Sequence, residues 1–266
     1  MRLFQAILTW LCLGRVVSHA AIGVLLAAGT LAGVASTVAS IASLVSYPVL
    51  LALGLPPVSA NMTNTVALVL TGAGAVAGSR QELAGQGRLV WRLGVLTAIG
   101  GAAGAVLLLL TPATAFERAA PVLIGLASLL LIVQTRIAGL VARPGGEHSR
   151  PLRAALAVTA VYVGYFGAAA GIIVLAVLTA MLDEPLPRLN AVKNAISWPA
   201  NGTAALIFAV FGPVRWEAAA PLAAGFLIGG WLGPALVRRL PAQALRAGIG
   251  VCGLAVAIKL GISAYR

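Results

Sequence analysis

Of the 266 residues, 61% are hydrophobic and only 9% charged, with a mean hydropathy of +1.02. Soluble proteins carry about a quarter charged residues, so this balance excludes a soluble domain and gives an all-α integral membrane protein. The net charge of +12 excludes little else: no basic patch is interleaved with aromatics as nucleic-acid binding would need, and an excess of loop Arg is what membrane orientation requires.

Residues 1–14 carry a basic residue and an apolar run, but no small-residue cleavage site follows, and a signal peptide is not favoured. A span needs about 20 mostly apolar residues, and about eight segments qualify: 20–46, 58–78, 89–110, 119–140, 152–182, 189–211, 218–237 and 242–262. The polar connector 141–151 bisects them, leaving an N-terminal segment 1–19, a first repeat 20–140 and a second repeat 152–266.

The two halves resemble each other. Pro57 and Asn64 match Pro187 and Asn194 at a constant offset of 130 residues (194 minus 64), as Ala60, Thr63, Ala67 and Thr71 match Asn190, Lys193, Ser197 and Asn201. Trp91 and Gly104 recur as Trp216 and Gly229, and Pro112 and Pro241 each precede the last segment of a half. The first segment of each half is too long for an ordinary span, about 27 and 31 residues, or roughly 40 and 46 Å if continuously helical. Small residues at 28–40 and 164–171 predict a break or re-entrant hairpin in each, with close helix packing as the alternative reading of the glycines.

Counting Lys and Arg in loops does not choose between eight simple crossings and an arrangement in which the first and fifth segments enter and leave on one side. The second arrangement inverts the halves and puts Arg238, Arg239 and Arg246 on the cytoplasmic side, which favours it.

All six acidic residues, Glu82, Glu117, Glu147, Asp183, Glu184 and Glu217, fall in connectors or at segment ends. Lys193 is then the one charge beside a polar intramembrane stripe, in which Asn190, Lys193, Asn194, Ser197 and Asn201 recur at helical spacing. An ionisable group at that depth marks a functional site, and its sign favours an anion. The alternatives are snorkelling for Lys193, interhelical hydrogen bonding for Asn64, Asn194, Ser197 and Asn201, and the interfacial belt for Trp91, Trp216 and Tyr47. Enzyme patterns are missing, and no catalytic residue is expected. Cys12 and Cys252 read as packing residues, and His19 and His148 lack ligand-spaced partners, so no metal or cofactor is expected.

Tyr47-Pro-Val-Leu-Leu-Ala-Leu-Gly-Leu-Pro-Pro57 with Ala60-Asn-Met-Thr-Asn-Thr65, followed in the second half by Gly164-Tyr-Phe-Gly-Ala-Ala-Ala-Gly171, Asn190-Ala-Val-Lys-Asn194, Phe211-Gly-Pro-Val-Arg-Trp216 and Leu240-Pro-Ala-Gln-Ala-Leu-Arg246, resembles the TauE/SafE sulfite exporter family. Many members carry glycines before the first-half proline, where this chain has Ser36-Thr-Val-Ala-Ser40. The resemblance implies a multi-pass inner-membrane transporter of two repeats that moves sulfite, sulfonates or related small sulfur-containing anions.

Such anions must exchange hydration for donors, and amides, hydroxyls, helix N-termini and one Lys are suitable. The expected substrate site is Thr63, Asn64, Lys193 and Asn194, supported by Ser36, Ser40, Ser197 and Asn201, at the repeat interface. Pro57 and Pro187 would bring both helix N-termini close to it. Expected partners are the small anion and membrane lipids, with a homodimer allowed. A passive anion channel with the same lining is the alternative mechanism, and a non-transporting scaffold a third reading.

Overall fold

The computed structural model describes residues 19–39, 41–138, 150–237 and 242–265. Among them are ten α-helices and no strand: α1 (His19–Ala39), α2 (Ala42–Ala52), α3 (Pro57–Gly78), α4 (Gly87–Leu110), α5 (Ala113–Ala138), α6 (Arg150–Tyr165), α7 (Ala170–Met181), α8 (Leu186–Phe211), α9 (Trp216–Val237) and α10 (Ala242–Tyr265).

Both long first segments are broken, for different local reasons. In the second half the chain leaves α6 through Gly167 at φ +72° and enters α7 through Ala169 at φ +55°, left-handed conformations that cannot continue a right-handed helix. The small-residue run is therefore unwound there. In the first half the corresponding run stays helical to Ala39, and α2 begins at Ala42. Here Gly29 and Gly33 of α1 lie directly on the backbone of α9 at Leu222, Gly225, Phe226 and Gly229, where a Cβ would collide with main-chain atoms. Close packing, not unwinding, is the use of those glycines, as expected where helices cannot rely on a hydrophobic driving force in lipid.

Several boundaries differ from expectation. α2 runs through Pro48 to Ala52 instead of stopping at 46, and α5 starts at Ala113 with Pro121 inside it. A helix packed on neighbours tolerates an internal proline because other groups take up the freed backbone. Tyr47 is not interfacial: it is 2% exposed and meets the Phe166 ring edge-on at 5.4 Å. Cys252 is exposed rather than packed. Cys12, His148, Glu147 and the pair Arg238 and Arg239 lie outside the described residues.

The helices pack as α1 on α9, α4 on α6 and α8, α3 on α8 and α9, and α5 on α10. α6 and α7 form a hairpin: Leu156 near the start of α6 and Leu178 and Met181 at the end of α7 share one buried cluster with Leu89, Leu93, Leu189 and Val192. The outer surface of the bundle carries exposed apolar side chains, among them Leu31, Ile99, Leu110, Leu206 and Trp231. α4 and the Ala113–Val133 part of α5 are long and apolar enough to cross a membrane.

Candidate anion-binding site

α8 carries the stripe that the sequence singles out. Pro185 caps it in an extended conformation (φ −59°, ψ 144°), its carbonyl accepts from the Arg188 and Leu189 amides at 2.9 and 3.0 Å, and Pro187 lies in the first turn, where its missing N–H costs nothing. From there Lys193, Asn194, Ser197 and Asn201 fall on one face and line a cavity of about 120 Å³. It adjoins a wider cavity of about 560 Å³, and Ser36, Thr71, Ala75, Lys193 and Asn194 line both. Lys193 is only 5% exposed, so its ammonium is held inside the bundle and does not reach outward along its stem.

Pro199 lies inside α8, beside the site, and removes one rung of the helical ladder. Side chains supply donors to the carbonyls of the flanking turns, Thr97 to Ile196 O at 2.6 Å and Asn201 Nδ2 to Ser197 O at 3.0 Å, while Thr203 donates across to Ala98 O of α4 at 2.9 Å. Thr97 and Thr203 thus tie α8 to α4 on either side of Pro199, which holds the donor face in one orientation.

α3 is entered in the same way, through Pro56 (φ −57°, ψ 145°) and Pro57, but it meets the cavity with its middle and C-terminal part, through Thr65, Leu68, Thr71, Gly72 and Ala75. Its N-terminal half is occupied with the rest of the bundle. Ser59 donates to Pro213 O at 2.6 Å, Asn61 Nδ2 donates to Tyr165 O at 2.9 Å, and Thr63 Oγ1 accepts the Arg215 amide at 3.0 Å. Ser46 donates to Asn64 Oδ1 at 2.5 Å, and Asn64 Nδ2 donates to Ser43 at 3.2 Å.

Of the expected site residues, the structure brings Ser36, Lys193, Asn194, Ser197 and Asn201 together around the narrow cavity. Thr63 and Asn64 do not line it; they are fully buried brace residues, and Asn64 reaches the cavity wall only through Ser43. Ser40 lies outside the described residues. The N-terminus of α8 faces the wider cavity through Asn190, whereas that of α3 is roughly 12 Å along its axis from Thr65, so only one helix dipole points the expected way.

Ser43, Thr65, Thr71, Phe166 and Trp198 join the lining without having been singled out. Thr71 was detectable as the repeat partner of Asn201. Phe166 comes from the unwound segment and Ser43 from the start of α2, which no helical spacing connects to α8.

No Asp or Glu lines either cavity among the described residues. Thr71 Oγ1 and Ser197 Oγ are buried and make no hydrogen bond within the protein, so two hydroxyls are available to a guest in a wall that also carries an ammonium and carboxamides. The described residues hold no cluster of His, Cys, Asp or Glu suited to a metal ion. Chemically the site can bind and orient a compact anion, and offers no carboxylate for acid or base work.

An all-helical bundle with an apolar outer face around a buried cationic, hydroxyl- and amide-lined cavity is the arrangement of a membrane transport protein. The chain belongs to the sulfite exporter TauE/SafE family, whose family model matches residues 25–260. Comparison with curated proteins and with solved structures gives no match. Family membership makes it a membrane protein of the sulfite/anion exporter type, in a family of transporters and not of enzymes.

Proposed function

We propose that this protein is a multi-pass secondary transporter of the inner membrane that moves small sulfur-containing anions, sulfite, sulfonates or related organic anions, by alternating access. The observation that carries the reading is the cavity wall itself: Lys193 with Asn194, Ser197, Asn201 and Ser36, and no carboxylate. An ammonium buried in a span costs about 2.5–3.5 kcal/mol on insertion scales, which a soluble-like packing role would not offset and an anionic guest does. In this reading Thr63 and Asn64 hold the site's surroundings rather than the anion.

Two inverted halves are supported by the packing. α1 lies on α9 as α6 lies on α4, and α9 lies on α3 as α4 lies on α8. Gly29 and Gly33 meet successive turns of α9 in the same chain direction, so α1 and α9 start at one end, where Ser59 of α3 also meets Pro213. The α6–α7 hairpin has both ends at the other, where Gln86 donates to Glu184 at 2.9 Å.

Alternating access is supported by the unequal ends of the cavity. The wider space reaches Ser79 and Asn190, near an end carrying the exposed Arg80, Arg88, Arg150 and Arg153, which the positive-inside rule assigns to the cytoplasm. Toward the other end, the Ser59 and Thr63 hydrogen bonds to the Gly212–Arg215 connector tie α3 to the chain. A continuous channel would be open at both ends. The test is radiolabelled sulfite uptake into proteoliposomes by the wild type and by Lys193→Met. Saturable uptake that the variant loses fits the reading; unchanged uptake refutes the role of Lys193, and unitary currents in planar bilayers would give a channel instead.

A further inference from the structure

Trp198 is out of place for a belt residue. It is the thirteenth of the 26 residues of α8, at mid-depth, whereas tryptophans that anchor a helix lie at the membrane interface. Its indole N–H donates to the Val69 carbonyl of α3 at 3.1 Å, which fixes the plane of the ring across the gap between the two helices. The ring can lie there only because position 72 is glycine: a Cβ on Gly72 would come within 2.5 Å of Trp198 Cδ1. Trp198 and Gly72 both line the narrow cavity, and neither lines the wider one.

The narrow cavity, about 120 Å³, is about a fifth of the size of the wider one at about 560 Å³. It accommodates a central atom with three oxygens beside Lys193 and Asn194. A longer alkyl chain does not fit beside the head group unless the ring moves, and must otherwise leave the narrow cavity past Lys193 and Asn194.

We propose that Trp198, held across Gly72, is the specificity-determining wall of the narrow cavity and favours compact oxyanions such as sulfite, which fit wholly inside it, over sulfonates whose longer alkyl chain must leave it. This rests on the anion-transport reading above. Shortening the ring removes the wall and enlarges the narrow cavity, so that an alkyl tail is held beside the head group.

The experiment compares uptake of butanesulfonate and of sulfite into proteoliposomes by the wild type, Trp198→Ala and Trp198→Phe. The ratio of butanesulfonate to sulfite uptake rises at least about tenfold in Trp198→Ala, the scale on which apolar pockets discriminate by a methylene or more. In Trp198→Phe it rises less, because a smaller ring without the N–H remains. An unchanged ratio in both variants, with sulfite uptake measurable, overturns the proposal while leaving the transport reading intact.

If the wild type moves neither anion, the transport reading fails, and the wall is read separately. Ser197→Cys, in a background lacking Cys12 and Cys252, is labelled with thiosulfonate reagents of increasing size. Adding Trp198→Phe or Trp198→Ala must then accelerate the bulkiest reagent selectively, and equal acceleration of all reagents overturns the wall. Gel filtration of each variant in detergent identifies any that misfolds, and Trp198→Phe, which keeps an aromatic ring in the gap, decides if Trp198→Ala does.

Discussion

α3 and α8 start from the same instruction, a proline-capped helix with a polar stripe, and put it to opposite uses. On α3 the polar side chains from Ser59 to Asn64 are consumed by the protein: their partners are carbonyls, an amide and hydroxyls of other segments. On α8, Lys193, Asn194, Ser197 and Asn201 border open space. The difference teaches that a polar face within an apolar bundle becomes a binding surface only where the neighbouring helix leaves room. At the α8 stripe the room comes from small residues opposite it, Gly72 and Ala75 of α3, Gly167 of the unwound stretch, and Ala170 and Gly171 at the start of α7.

Breaking the brace has the largest effect on stability. Asn64→Leu keeps the volume but removes the hydrogen bonds from the buried Ser46, which keeps only the Ala42 carbonyl, and to the half-buried Ser43, and the two lost bonds cost about 1–3 kcal/mol. The expected outcome is a clear fall in the melting temperature of the purified protein in detergent. A melting temperature equal to wild type would place Asn64 outside the brace.

Removing the charge comes next. Lys193→Met replaces an ammonium by a thioether of similar length, and the loss of a charge-assisted contact to the anion is about 1.5–3 kcal/mol, or roughly 10- to 150-fold in affinity. The fold should tolerate it, since an apolar side chain replaces a buried charge.

Smaller effects sharpen the contrast. Ser197→Ala and Thr71→Val remove hydroxyls that have no partner in the protein, so the melting temperature stays level or rises. Anion affinity falls about 2- to 10-fold, the worth of one neutral hydrogen bond. A fall in melting temperature without a change in affinity would reverse the assignment of these hydroxyls. Least of all is expected from Glu184→Gln, whose ion pair with Arg188 at 3.1 Å is partly exposed and contributes under about 1 kcal/mol.

The stripe on α8 was legible because helical spacing alone puts Asn190 to Asn201 on one face, and because a charge among apolar residues stands out. The α6 break was legible from Gly164 to Gly171. Placing Thr63 and Asn64 by analogy with Lys193 and Asn194 did not locate them at the cavity, because spacing tells which residues share a face and not what that face meets. α3 and α8 present different halves to the site, and the brace to Pro213 and Arg215 is a contact between positions more than 150 residues apart. Tyr47 looked interfacial beside Pro48 for a similar reason: only the fold brings Phe166 against it. Trp198 was hidden by its composition, since a tryptophan in a span reads as packing until Gly72 and Val69 are placed beside it.

The most direct test of the contrast between the two helices is equilibrium binding of radiolabelled sulfite to the purified protein in detergent, comparing wild type with Lys193→Met. Saturable binding by the wild type, weakened at least about tenfold in a variant that elutes and melts normally, is the predicted result. Equal binding by both would contradict the claim that the α8 face holds the anion.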